Sequence, residues 1–309
     1  MTTLPILQFF LADDVFWQLF VAGLSTGSVY GLLALGLVLI YRTTRVINLA
    51  QAEMAMFSTY LAWSLLHRLA YWQVFIVIII VAALMGALVE RLVMRPVEKA
   101  PPLIMLIVTL ALFSAFNGVT LLVWKGTTAG VAFPTLVADN PVVELGGVRV
   151  QAHSLAIMGV TAAIMAILYV FFQFTQLGLA LRAVAQDPLA SRLSGIRVAN
   201  MLMLGWGLST GIGAVGGMMI APLIATSTAF IMGVFVFALT AMVLGGMDSP
   251  PGVVLAGLII GVTQNLYIHY TPQEYLGSGT EMAFALVLIL AVLMVRPQGL
   301  LGERRISRI

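Results

Sequence analysis

The chain has 309 residues, 61% of them hydrophobic and 9% charged, with 15 Lys+Arg against 12 Asp+Glu and no Cys. A soluble domain is roughly 25% charged and about half apolar. At a mean hydropathy of +1.08, this chain holds more apolar surface than a soluble globule hides, and a disordered chain needs the opposite composition. Its solvent is therefore lipid. The net charge is only +3, from dispersed basic residues, which argues against nucleic-acid binding. Without Cys, disulfides, thiol nucleophiles and thiolate metal sites are excluded. His67, His153 and His269 stand far apart beside loops, so a His-based metal site is not expected.

Nine apolar blocks follow one another, at about 16–40, 49–66, 72–93, 102–124, 154–174, 201–221, 231–247, 252–268 and 282–295. They are continuous rather than alternating, which predicts helices and not barrel strands. The expected fold class is all-α: a polytopic membrane bundle of about 8–9 transmembrane helices forming one domain over residues 1–309. Residues 1–14 contain no Lys or Arg and carry Asp13 and Asp14, so no cleavable signal peptide is expected. With the loop at 42–48 placed inside, the outer segments hold only Arg68, Lys125 and Arg149 of the 15 basic residues. That bias sets the N-terminus outside and the C-terminus inside. It also makes 125–152 an outer loop, 175–200 a cytoplasmic segment and 296–309 a cytoplasmic tail. The blocks at 231–247 and 252–268 are short enough to be two spans or a re-entrant pair.

Small residues recur at helical spacing in Gly23, Gly27 and Gly31, in Ser209, Gly213 and Gly217, and in Gly257 with Gly261. Such stripes let helix backbones approach closely in a bilayer, either inside a bundle or between subunits. Polar, Gly-rich interruptions near 43–58 and 245–257 are compatible with relics of an inverted duplication, a weak signal.

The chemistry is limited by what is missing. Lys99 and Lys125 follow Glu98 and Trp124, so the chain has no Gly-Lys-Ser/Thr phosphate loop. It also lacks an H-E-x-x-H zinc helix. A catalytic subunit is not expected. One acid lies well inside an apolar block: Glu53, close to Asn48 and Gln51. Membrane carboxylates usually face the bundle interior. The three side chains read as a translocation pathway or gate, as a structural polar network around a buried helix start, or, for Glu53, as a proton-coupling group.

In the cytoplasmic segment, Asp187-Pro188 opens a two-turn helix as N-cap and first residue, and Gly195 closes it. Leu189 and Leu193 share one face, which makes a docking peg or a surface helix. Next, Gly245-Gly246-Met247-Asp248-Ser249-Pro250-Pro251-Gly252 reads as a helix break near a pathway or as a turn capped by Asp248 or Ser249. Between Val142–Leu145 and Val148–Val150, Gly146-Gly147 suggests a type I′ hairpin, serving as a lid or as a contact surface for an external partner.

Three stretches in order, Ile47-Asn48-Leu49-Ala50-Gln51-Ala52-Glu53-Met54, Arg182-Ala183-Val184-Ala185-Gln186-Asp187 running to Gly195-Ile196, and Val243 through Gly252, resemble the LivH-type permease subunits of bacterial branched-chain amino-acid ABC importers. The likeness covers nearly the whole chain. It implies a multi-pass inner-membrane permease with the helical fold of the vitamin B12 and ribose importer permeases. The partners it implies are a second related permease, two cytoplasmic ATPases and a periplasmic solute-binding protein. This chain would bind no cofactor, ATP and Mg residing on the ATPases. Under the resemblance Arg182, Ala185, Asp187, Pro188, Arg192, Gly195 and Ile196 contact an ATPase, and Gly245, Gly246, Asp248 and Pro250 form the helix break. The sequence departs from the family where Asn-Leu-Ala-Gln-Ala-Glu replaces Asn-Phe-Ala-His-Gly-Glu. Related permeases carry urea, amides or aromatic acids, which keeps those cargoes as alternatives. The rival from another class is an ion-coupled secondary transporter using Glu53.

Overall fold

A computed structural model describes residues 14–125, 131–145, 147–224, 230–271, 280–296 and 298–302. The first 13 residues, part of the outer loop and the end of the tail, all placed by the sequence reading, lie outside the described residues. Every apolar block is helical. In chain order the helices are α1 (Asp14–Thr44), α2 (Gln51–Leu66), α3 (Tyr71–Val89), α4 (Pro102–Val123), α5 (Ala152–Phe174), α6 (Gln176–Gln186), α7 (Pro188–Leu193), α8 (Val198–Ile220), α9 (Phe230–Gly245), α10 (Pro250–Tyr270) and α11 (Thr280–Val295). Among the described residues six helices are long and apolar enough to cross a membrane: α1, α3 with its extension to Val97, α4, α5, α8 and α10. The helices α2, α9 and α11 have 16 residues each, below the roughly 20 of a full span.

Burial sorts the helices into two shells. The most apolar windows of α1 and α8 are 89% and 72% buried, whereas those of α4 and α5 are only 11% and 17% buried. Outward-facing Leu84, Leu88, Ile107, Ile167 and Leu290 are exposed. With lipid as solvent an apolar exterior carries no cost, so the outer shell is as greasy as the core.

The small-residue stripes fasten the inner shell internally. A Cβ on Gly23 would meet the backbone of Gly261 and Val262, one on Gly27 that of Gly257 and Leu258, and one on Gly31 that of Val254. Ascending numbers on α1 thus meet descending numbers on α10, an antiparallel pair in backbone contact. Gly213 and Gly217 on α8 face Gln51, Ala55 and Thr59 of α2. The same helix receives α3 through Gly207 and Gly211 against Ala83 and Ile79. All three stripes therefore serve packing within this chain.

Between α4 and α5, β1 (Val142–Leu145) and β2 (Val148–Gln151) pair antiparallel in the expected hairpin, with Leu145 opposite Val148. Gly147 adopts φ 91°, while Gly146 lies outside the described residues. Behind the hairpin His153 is fully buried. Its Nδ1 accepts from the Leu136 N–H at 3.3 Å, and Nε2 pairs with the Met219 carbonyl at 3.0 Å. Both ring nitrogens are spent on tying the outer loop to α8.

Candidate functional site

The chain between α1 and α2 reverses sharply. Arg45 sits at φ 59°, a left-handed conformation that costs a non-Gly residue roughly 1–2 kcal/mol, and its N–H closes α1 on the Tyr41 carbonyl at 2.8 Å. From there residues 46–50 climb back beside α1. The Gln51 amide donates to the Ser209 carbonyl at 2.9 Å and accepts from the Ser209 hydroxyl at 3.1 Å. That hydroxyl also lies 2.6 Å from the Gly36 carbonyl. Ser209 lies midway along the 23-residue α8, and Gly36 is two turns before the end of α1. At 1.5 Å per residue the re-entry is about 12 Å deep. The helix α2 thus starts inside the bundle and not at the cytoplasmic entry that the sequence reading assigns to it.

Burial at that depth demands that every polar atom find a partner. Asn48 and Gln51 are fully buried. The Asn48 side chain accepts from the Ala50 N–H at 3.1 Å and donates to the Gln51 amide oxygen at 3.4 Å. Glu53, 2% exposed, accepts from the Asn117 amide at 3.2 Å. It stands in the first turn of α2, where the positive end of the helix dipole favours an anion by up to about 2 kcal/mol in a buried setting. Asn48 and Gln51 form one polar seam facing α8 and α1, whereas Glu53 is aimed away from it, at α4. Sequence reasoning missed Asn117 and Ser209. The first is a lone amide in the apolar block of α4, a readable signal, and the second was legible only as a packing residue.

The segment 175–200 folds as the sequence predicts. The Asp187 carboxylate accepts from the N–H groups of Leu189 at 2.8 Å and Ala190 at 3.0 Å, and Pro188 takes the first position of α7. At the other end Gly195 turns to φ 82°, its N–H bonding the Arg192 carbonyl and that of Ile196 the Ser191 carbonyl. This pair of bonds is the Schellman stop. Leu189 and Leu193 are 68% and 84% exposed, an apolar face that the bundle leaves uncovered. Arg192 does not point away from the bundle; it pairs with Glu98, in the α3–α4 connection, at 2.9 Å. Arg182 bonds the Gln173 side chain at 3.0 Å, and Ala185 lines a cleft shared with Arg45 and Asp248.

The connection between α3 and α4 is itself irregular, with a π turn over Glu90–Met94. The 2%-exposed Glu90 receives Arg95 through Nε at 3.3 Å and Nη2 at 2.8 Å, and Arg95 also donates to the Ala199 carbonyl at 3.1 Å. This pin joins the inner end of α3 to the first turn of α8.

The break between α9 and α10 is a tight turn. Gly245 packs on the Gly252 backbone, Gly246 adopts φ 104°, and Ser249 caps α10 by accepting from the Gly252 N–H at 3.2 Å, with Pro250 in the first turn. Tail residues Leu300 and Leu301 clamp the turn by donating to the Leu244 and Gly245 carbonyls. Asp248 pairs with Arg45 at 2.8 Å, which brings the break to the start of the re-entrant loop that carries Asn48 and Gln51. Among the described residues no group of three or more His, Asp or Glu is arranged to hold a metal ion.

A family model described as the permease component of the branched-chain amino acid transport system matches residues 19–295. The high-affinity branched-chain amino acid transport system permease protein LivH of Salmonella typhimurium is 30% identical over 95% of this chain and 98% of its own length. The corresponding BraD of Pseudomonas aeruginosa is 30% identical over 94% and 97%. A probable LivH of Methanocaldococcus jannaschii is 28% identical over 88% of each chain. No solved structure matches.

Proposed function

The chain belongs to the branched-chain amino acid transport permease family, and on that premise we propose that it is the membrane-spanning subunit of an ATP-driven importer of branched-chain or other hydrophobic amino acids. It works in a bacterial inner membrane. The observation that carries the reading is α7: a helix capped at both ends, displaying Leu189 and Leu193 on the cytoplasmic side of a chain with no phosphate loop of its own. Such a face is shaped to dock on a motor held by another molecule. ATP and Mg²⁺ belong to two cytoplasmic ATPases, a second related permease completes the membrane unit, and a periplasmic solute-binding protein delivers cargo. In the membrane α2, α9 and α11 join the six longer helices, giving nine embedded helices in the manner of the vitamin B12 and ribose importer permeases.

Cargo passage requires the polar seam to open. In the closed state Ser209 occupies the Gln51 amide, so Asn48 and Gln51 meet a zwitterion only when α2 and α8 part. ATP binding supplies that motion by shifting α7. Arg182, Ala185, Gly195 and Ile196 frame the docking region, and Asp187 holds its shape. Replacing Asp187 and Arg192 together uncouples ATP hydrolysis from uptake while the complex still assembles; coupled transport at the original rate would count against the assignment. Affinity purification in mild detergent should recover two ATPases and a second permease. Uphill uptake by the isolated chain, driven by an ion gradient and lost in Glu53→Gln, would instead make Glu53 a coupling group.

A further inference from the structure

The geometry points to Arg45 and Asp248 as an inner latch that holds the re-entrant loop in the membrane and is worked by the coupling segment. This inference rests on the permease reading and names residues for its gate. Arg45 is the pivot at which α1 ends and the chain turns back toward Asn48. Its left-handed backbone, φ 59°, is one that a non-Gly residue keeps only where its surroundings enforce it. Two contacts do so: the Tyr41 ring, 6.0 Å from the guanidinium carbon, and the Asp248 carboxylate at 2.8 Å. Asp248 stands on a firm base, since the tail clamps its turn and α10 is locked to α1 through glycine backbones. The pair therefore ties the start of the re-entrant loop to the α9–α10 turn.

A cleft of about 510 Å³ opens beside this pair, with Arg42, Arg45 and Asp248 on one wall and Ala185, Gln186 and Pro188 on the other. The second wall is the entry to α7. The residues that approach an ATPase thus face the latch across open space, and displacement of α7 into the cleft reaches Arg45 before any other part of the loop. Both partners remain partly solvated, with side chains 40% and 29% exposed, so the pair breaks and reforms at modest cost, as a latch must.

The chain has no native cysteine, which allows a test independent of cargo and ATP. A single cysteine at Ala50, fully buried at the loop's end, is labelled with a membrane-impermeant maleimide in inside-out vesicles containing the complete complex. Arg45→Gln keeps a non-Gly residue at φ 59°, so the backbone cost is unchanged, and removes the charge and the guanidinium's ring contact; Asp248→Asn removes the opposing charge. Each is expected to raise the labelling rate about fivefold, the factor corresponding to a pair worth roughly 1 kcal/mol. The exchange Arg45→Asp with Asp248→Arg is expected to bring the rate back toward the parent's. Unchanged labelling in both single variants overturns the latch. So does acceleration in Arg45→Gln alone, which assigns the effect to Tyr41, or an exchange no better than its single parents. Absence of ATP-driven uptake by the parent complex defeats the permease reading instead, and the labelling result stands apart from it.

Discussion

A matched pair of Gly→Ala substitutions tests whether the α1–α10 seam is a backbone contact. At Gly27 a new Cβ would lie 2.6 Å from the Gly257 carbonyl oxygen and 2.8 Å from the Leu258 Cα. Neither is a side chain that swings aside, so the helices must separate by about 1 Å to restore ordinary contact. Overpacking of this kind costs about 1–3 kcal/mol, and Ala recovers roughly 0.5–1 kcal/mol of helix preference. The expected net effect is a loss of about 1–2 kcal/mol. On α5, Gly159 has nothing within 4 Å of a built Cβ, so Gly159→Ala keeps the propensity gain and should stabilise by roughly 0.5–1 kcal/mol. Reversible unfolding in mixed micelles measures both. A neutral or stabilising Gly27→Ala, or the same sign at the two sites, would refute the close-packed seam.

Three further outcomes follow from the polar contacts. Gln51→Ala strips the Ser209 carbonyl and hydroxyl of a buried partner, and the same unfolding assay should register a loss of about 1–3 kcal/mol. Gly195→Ala meets no steric neighbour but must hold φ 82°, costing roughly 1 kcal/mol; retention of the ATPase on immobilised permease should weaken, and Gly195→Asn should restore part of it. Glu90→Ala leaves Arg95 without its bidentate carboxylate. Because that guanidinium is 31% exposed, the expected cost is nearer 1–3 kcal/mol than the 3–5 kcal/mol of a fully buried pair, read as a lower melting temperature of the complex.

The features legible in the residues are those with local causes. Continuous hydropathy marks the apolar helices found among the described residues, because a backbone in lipid satisfies its own hydrogen bonds only in such segments. Asp187-Pro188 and Gly195 specify the ends of α7 through bonds made within ten residues, and the strands of the hairpin pair within the same range. Tertiary structure decided the rest. Hydropathy reports composition along the chain and not depth, so it placed the start of α2 at the membrane surface, while the Gln51–Ser209–Gly36 bonds set it inside the bundle. Glycine spacing identifies a close contact without identifying the partner helix. The Arg45–Asp248 and Arg192–Glu98 pairs join residues 203 and 94 positions apart, which no local pattern encodes. The division into core and lipid-facing helices was equally hidden: where solvent and interior are both apolar, a helix needs no polar face, and only packing decides which side is buried.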